Sequence, residues 1–132
     1  MIRLFLVTAI VAAIGVGCQG VRRIDMRNAT RDSVYVIWKL EKDSLKDNPF
    51  LISNSEELRF GISPQHPEIK MSFGRGGWSL KEVQKLSGFL KSLEIISPNR
   101  HVKIDSLPLL QEYLLARRKG VGGGTIEIVV AE

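Results

Sequence analysis

The sequence is poor in the residues that build disulfides and metal centres. It contains one cysteine, Cys18, and two histidines, His66 and His101, among 132 residues. A single cysteine excludes an intramolecular disulfide. Zinc usually takes three or four protein ligands, and the two histidines stand far apart in the sequence. We therefore expect no metal site, and we interpret both histidines as surface or hydrogen-bonded side chains.

The usual sequence patterns of enzymes are also missing. The chain has no G-x-S-x-G nucleophile elbow, and Glu56 and Glu57 are adjacent, so they do not resemble a spaced acid–base pair. The glycines at 120–124 lie between a predicted helix and a predicted strand, whereas a phosphate loop needs the reverse order. Without a convergent catalytic set, we expect a protein that is not an enzyme and binds no cofactor.

One glycine-rich loop does have the chain order of an anion site. Residues 74–79 follow a predicted strand and precede a predicted helix, and they nearly match G-x-G-x-x-G, with Ser79 in place of the third glycine. The candidate contacts to a small anion are Arg75, Gly76, Gly77 and Lys81. The alternative, which we favour, is a tight turn in front of a capped helix.

The chain carries a mild positive charge. Its net charge is +5, and 18 basic and 14 acidic residues follow Cys18, which leaves +4 beyond that cysteine. Nucleic-acid-binding proteins usually show a denser basic stripe, so we expect no nucleic-acid partner. Four arginines early in this part could contact an anionic membrane surface, namely Arg22, Arg23, Arg27 and Arg31. The alternative, a solvated tether and strand edge, is favoured.

The first 17 residues have the pattern of a signal peptide. Arg3 supplies a positive start, and residues 4–17 are uncharged and almost wholly apolar. As a helix this run would be about 21 Å long, which is short for a hydrocarbon core about 30 Å thick. The small residues Gly15 and Gly17 near its end complete the pattern.

The apolar run ends in Gly15-Val16-Gly17-Cys18, which resembles a bacterial lipobox. A small residue precedes the cysteine as in that family, whereas Gly15 stands where an aliphatic residue is usual. The resemblance implies that residues 1–17 are removed and that Cys18 receives a diacylglycerol thioether and an acylated amine, which together anchor the protein firmly. The alternative is an uncleaved helix, or an ordinary signal peptide with an incidental cysteine.

Two further features extend this resemblance. Gln19 follows the cysteine where an aspartate would favour retention at the inner membrane, so we expect the outer membrane, on its periplasmic side. Residues 28–36, with the pattern Asn…Asp-Ser-Val-Tyr-Val, resemble the start of small uncharacterised lipoproteins of Gram-negative bacteria. That family brings no known activity, so no functional residues carry over from it.

The remaining sequence predicts one α+β domain over residues 24–132, after a tether at residues 18–23. Apolar alternation predicts strands near residues 24–27, 34–40, 58–62, 69–73, 95–96, 102–104 and 125–130. The first two would form a β-hairpin with a long loop. We expect one largely antiparallel sheet with two helices packed on one face.

Both helices are predicted from caps and apolar stripes. Ser79 and Glu82 form a capping box. The apolar stripe of this first helix consists of Leu80, Val83, Leu86, Leu90 and Leu93. The second helix is expected to begin near Ser106 and run to about Lys119, with Gly120 as its C-terminal cap.

These features favour a lipoprotein whose mature part is a non-enzymatic binding or interaction domain, held at the membrane by Cys18 and able to contact an envelope protein. Two alternatives stay open. The domain could be a small periplasmic hydrolase or ligand-binding enzyme, if His66 or His101 meets a carboxylate and a serine in a pocket. The basic tether could instead clamp the domain on anionic lipid.

Overall fold

The computed structural model describes residues 20–41 and 56–132, so the predicted signal peptide, the lipobox and Cys18 lie outside the described residues. No helix in the described ranges is long and apolar enough to cross a membrane. The elements follow in the order β1 (Val21–Asn28), β2 (Val34–Leu40), β3 (Glu57–Ile62), β4 (Glu68–Arg75), α1 (Leu80–Gly88), β5 (Leu90–Ser97), β6 (Arg100–Ile104), α2 (Leu107–Ala116), β7 (Arg118–Lys119), a 3-10 turn (Val121–Gly123) and β8 (Thr125–Val130).

The strands form two four-stranded sheets. The first has the order β4-β1-β8-β7, and the second has the order β3-β2-β5-β6. Neighbouring strands are antiparallel, except that β1 and β8 run parallel. The predicted α+β class, the single small domain and the two helices are confirmed, and the strands are divided between two sheets instead of one.

The predicted hairpin of the first two strands is wrong, because β1 and β2 belong to different sheets. The Asn28 side chain holds the turn that carries the chain between them. Its amide donates to the carbonyls of Asp32 (2.7 Å) and Ile62 (2.9 Å), and its Oδ1 accepts from the Thr30 N–H (2.8 Å). Asparagine readily bonds the backbone two residues ahead, and the bond to Ile62 ties this turn to the second sheet.

The core lies between the two sheets and includes side chains from both helices. Met26 of β1 and Trp38 of β2 are fully buried, and the Trp38 indole N–H donates to the Met26 sulfur at 3.5 Å. The apolar face predicted for β2 is buried as expected. The helices pack against each other and add Val83, Leu86, Leu110 and Leu114 to this core. Burial of each such side chain stabilises the fold by about 1.5–3 kcal/mol.

Helix α1 begins as the sequence predicts and ends earlier. Ser79 is its N-cap, and the Ser79 hydroxyl accepts from the Glu82 N–H at 3.2 Å. The helix ends at Gly88, and the predicted continuation through Leu90 and Leu93 is wrong because both leucines lie in β5. Strand β5 pairs with β2 on one side and β6 on the other. The spacing of the leucines fits a helix equally well, but pairing with two neighbouring strands stabilises the extended conformation.

Helix α2 is shorter than predicted. It ends at Ala116, because Arg118 and Lys119 turn away as β7 and pair with β8. Gly120 is therefore not the cap of this helix. With a φ of 83°, a conformation that favours glycine, Gly120 instead leads into the 3-10 turn before β8.

Candidate functional site

Two glycine-rich loops meet at one end of the first sheet. Residues 74–77 connect β4 to the start of α1, and residues 120–124 lead into β8. The Trp78 N–H donates to the Gly123 carbonyl at 2.8 Å. A Cβ added to Gly77 would lie 2.1 Å from the Gly122 carbonyl oxygen, which is closer than side-chain contacts allow. The close approach of the two backbones therefore requires glycine at position 77.

The beginning of the described chain lies in the same place. The Gly76 N–H donates to the Gly20 carbonyl (3.2 Å), and the Arg23 N–H donates to the Gly124 carbonyl (2.9 Å). Strand β1 begins at Val21, inside the segment predicted to be a tether. Residue 20, residues 74–77 and residues 120–124 thus form one backbone cluster, which we call the glycine end.

A cleft of about 750 Å³ opens at the glycine end. Glycine backbone forms most of its wall, with the side chains of Val21, Arg23, Val121 and Thr125 between the glycines. Val121 is 88% exposed. The described residues of this wall include no histidine, carboxylate or cysteine, so they supply no acid–base pair and no thiol.

Arg22, predicted as a membrane contact, is largely engaged within the fold. Its guanidinium donates to the carbonyls of Phe73 (2.9 Å) and Arg75 (3.3 Å) and lies 3.5 Å from the Glu82 carboxylate. It also lies 5.1 Å from the centre of the Trp78 ring, within cation–π range. Arg22 therefore connects β1, β4 and α1 behind the glycine end.

The other three predicted arginines are spread along the molecule. Arg23 lines the cleft, with its guanidinium 3.7 Å from the buried Asp25 carboxylate. Arg27 is exposed near the far end of β1, and Arg31 is exposed in the turn that follows. Since a strand rises about 3.3 Å per residue, Arg23 and Arg27 are separated by about 13 Å. Of the four arginines, Arg22 is thus engaged in the fold, and the other three follow one another along β1 and into the turn beyond it.

The weak anion-loop candidate, Arg75, Gly76, Gly77 and Lys81, lies where β4 leads into α1. Gly76 and Gly77 line the cleft, whereas Arg75 and Lys81 are exposed and do not. A bound phosphate needs free main-chain donors. Here the Gly76 N–H is bonded to one carbonyl and the Trp78 N–H to another, as described above. This geometry matches the alternative of a tight turn before a capped helix.

The two histidines lie away from the cleft. His101 Nε2 is 2.6 Å from Glu94 Oε1 on the exposed part of the β5–β6 pair, and the backbone N–H of His66 donates to the Ser63 hydroxyl. Across residues 20–41 and 56–132, no group of three histidine, cysteine, aspartate or glutamate side chains is arranged to hold a metal ion.

The meeting of residues 74–77 with residues 120–124 was not predicted from the sequence. The surplus of glycine in both loops, beyond what one turn needs, is the signal that could have indicated it. Comparison of the chain with protein-family models, with curated proteins and with solved structures found no match.

Proposed function

We propose that the chain is a lipid-anchored envelope lipoprotein, whose mature part is a non-enzymatic binding domain held with its glycine end towards the membrane. The lipobox-like Gly15-Val16-Gly17-Cys18 supports the anchor, and the short stretch of chain between Cys18 and β1 is the observation that carries the orientation. Gly20 is already bonded to Gly76, and β1 begins at Val21, three positions after Cys18. Three extended residues span at most about 10 Å. A lipid on Cys18 would therefore hold the glycine end close to the bilayer surface.

The side chains around the glycine end support this orientation. Val21 and Val121 expose apolar surface there, and the exposed Arg75 brings positive charge to the same end. Arg118 lies there too, but its guanidinium donates to the carbonyls of Trp78 and Leu115. A cation close to anionic lipid contributes about 1 kcal/mol to membrane association. These contacts add to the anchor, and they orient the domain with its opposite end in the aqueous compartment.

The alternative in which four arginines clamp the domain flat on lipid has less support. Arg22 is held by Glu82 and by carbonyl groups inside the fold. Arg27 and Arg31 lie towards the end of β1 that is farther from Cys18. A flat orientation would therefore lack Arg22 and would depend on arginines spread along the length of β1 and the turn beyond it.

The enzymatic alternative also has less support. A hydrolase needs a nucleophile, a base and a group that orients the base within hydrogen-bonding distance of one another. His101 faces Glu94 at an exposed position, and the described lining of the large cleft contains neither histidine. The chemistry of the cleft favours contact with a membrane or a ligand.

The proposal is tested by the intact mass of the protein extracted from membranes of the cells that produce it. We expect a chain that begins at Cys18 and carries the added mass of a diacylglycerol thioether and an N-acyl group. Cys18→Ala should accumulate as an unprocessed precursor without lipid. A mature chain with an unmodified Cys18 would contradict the proposal.

The matched control is Gln19→Asp, which leaves the cysteine in place. Its mass should be that of the fully lipidated chain, because residue 19 does not receive lipid. On fractionation we expect the wild-type chain in the outer membrane and Gln19→Asp in the inner membrane. If wild-type protein collects in the inner membrane, the proposed outer-membrane location is wrong.

A further inference from the structure

A second cavity lies at the end of the first sheet that is farther from Gly20. Thr125, the first residue of β8, lines the glycine-end cleft, and Val130, its last residue, lines this second cavity. Five steps along a strand cover about 17 Å. The cavity therefore faces away from the anchor point proposed above.

This cavity is lined by residues of β5, β6 and α2 together with the end of β8. We call it the arginine pocket, and its lining consists of Ile95, Ser97, Arg100, Val102, Tyr113, Arg117 and residues 129–131. Its volume is about 130 Å³, which at roughly 30 Å³ per molecule is room for about four waters. A carboxylate or phosphate group fits a space of this size.

Two guanidinium groups bring positive charge to the arginine pocket. Arg100 comes from the start of β6, and Arg117 follows the last residue of α2. Arg117 stacks on the Tyr113 ring, with 3.3 Å between the guanidinium carbon and the ring centre, and it donates to the Tyr113 carbonyl at 3.1 Å. These contacts fix the direction of the guanidinium and leave several of its five N–H donors for another acceptor.

No carboxylate in the described part of the chain neutralises these two charges, since neither Arg100 nor Arg117 has an ion-pair partner within 4 Å there. Two nearby acidic side chains are used elsewhere. Glu94 pairs with His101, and the Glu132 carboxylate accepts from the Arg31 N–H. Two cations around one partly enclosed space favour an anion between them.

Tyr113 is a further polar residue of the same lining. Burial raises the pKa of the Tyr113 phenol, although the charges of Arg117 and Arg100 act in the opposite direction. The hydroxyl therefore keeps its proton at neutral pH and can donate it to an acceptor. The Ser97 hydroxyl donates to the Arg100 carbonyl at 3.2 Å and so holds the turn that carries Arg100.

We propose that the arginine pocket binds the oxyanion group, a carboxylate or a phosphate, of a small ligand. Arg100 and Arg117 supply charge-assisted hydrogen bonds, and Tyr113 supplies a neutral one. This site gives the binding domain a ligand class and places the ligand on the side away from the membrane. It does not depend on lipid at Cys18, so an unmodified cysteine would contradict the proposed function and leave this site standing.

The test is calorimetric titration of the full chain in uncharged detergent with sodium phosphate and with sodium acetate, against chloride at equal ionic strength. We expect saturable binding of at least one of the two anions, and the preferred one tells whether the site favours a tetrahedral or a planar group. Arg100→Gln should weaken that binding about tenfold. Arg100 is exposed, so this variant should keep the fold.

The matched control is Arg59→Gln. Arg59 also stacks on a tyrosine, with 4.6 Å between its guanidinium carbon and the centre of the Tyr35 ring, and it is absent from the lining of the arginine pocket. Arg59→Gln should therefore leave the affinity for the anion unchanged. The proposal is overturned if neither anion binds saturably, or if Arg100→Gln and Arg59→Gln have equal effects. Arg117→Lys, which keeps the charge and loses the planar fork, should weaken binding severalfold.

Discussion

The glycine end is built from main-chain groups, whereas the arginine pocket is built from side chains, two of them charged. At the glycine end, main-chain groups of three segments bond one another, and position 77 has no room for a side chain. At the arginine pocket, long side chains from β6 and α2 surround a space that the described backbone leaves open. A contact between backbones fixes position, whereas charged side chains around a cavity provide recognition.

This difference predicts different responses to substitution. A side chain added at Gly77 should act on the stability of the fold, because it disturbs packed backbone at the glycine end. Changes at Arg100 should act on ligand affinity and leave stability almost unaltered, because its side chain is exposed. Unchanged stability of a Gly77 variant would contradict this difference between the two regions.

The largest effect is expected for Gly77→Ala. The new Cβ would lie 2.1 Å from the Gly122 carbonyl oxygen, so the two loops must separate. We expect the free energy of unfolding to fall by about 3 kcal/mol, at the upper end of overpacking costs. Urea denaturation measures the change.

Gly88→Ala is the matched control for that substitution. Gly88 is the last residue of α1, and a Cβ there would meet nothing within 4 Å. We expect unchanged stability or a gain of up to about 1 kcal/mol, since alanine is the better helix residue. Equal losses for both variants would show that the contact between the glycine loops does not hold the fold.

A smaller loss is expected for Arg22→Ala. This change removes hydrogen bonds to two carbonyls and an ion pair with Glu82, whose carboxylate is one-third exposed. We expect a loss of about 2 kcal/mol in the free energy of unfolding. Arg27→Ala, on the same strand and exposed, should change it by less than about 0.5 kcal/mol. If Arg27→Ala loses more stability than Arg22→Ala, Arg22 does not hold β1, β4 and α1 together as described above.

The smallest effect concerns Tyr113 and alkaline pH. Because burial raises the folded-state pKa of Tyr113, the folded protein holds this proton more tightly than the unfolded chain. This contribution to stability is complete below the ordinary pKa of about 10 and is lost as pH rises through the raised folded value. Tyr113→Phe should therefore lose less stability than the wild type between about pH 9 and about pH 11.

Tyr35→Phe, which removes a phenol that is 39% exposed, is the control for Tyr113. It should keep the alkaline loss of the wild type in urea denaturation at each pH. If the free energy of unfolding falls equally steeply with pH in the wild type and in Tyr113→Phe, the Tyr113 phenol does not contribute to the pH dependence.

The sequence was sufficient for elements that depend on local signals. Strand β2 was predicted with its observed bounds because β-branched and aromatic residues alternate along it. The start of α1 was predicted because Ser79 and Glu82 form a local cap. The overall α+β class followed from the mixture of such segments.

The sequence was insufficient where the outcome depends on a distant partner. Leu90 and Leu93 have a spacing that fits a helix, and only their pairing with β2 and β6 places them in a strand. The hairpin of β1 and β2 was wrong for the same reason, because β1 pairs with β4 and β8.

The candidate sites also differ in whether a local motif indicates them. Cys18 was indicated by a local motif and stays a prediction, since it lies outside the described residues. The arginine pocket was missed because Arg100 and Arg117 are distant in sequence and lack a motif.

The most direct test of the proposed orientation labels new cysteines, which is possible because the sequence contains only one cysteine of its own. If Cys18 carries lipid, Val121→Cys and Asn99→Cys each introduce one free thiol, at the glycine end and in the exposed turn between β5 and β6 respectively. An environment-sensitive dye on each thiol is measured in vesicles with a water-soluble quencher. We predict that the dye at position 121 is shielded by lipid headgroups and that the dye at position 99 is quenched freely. Equal quenching at both positions, or the reverse order, would contradict the orientation.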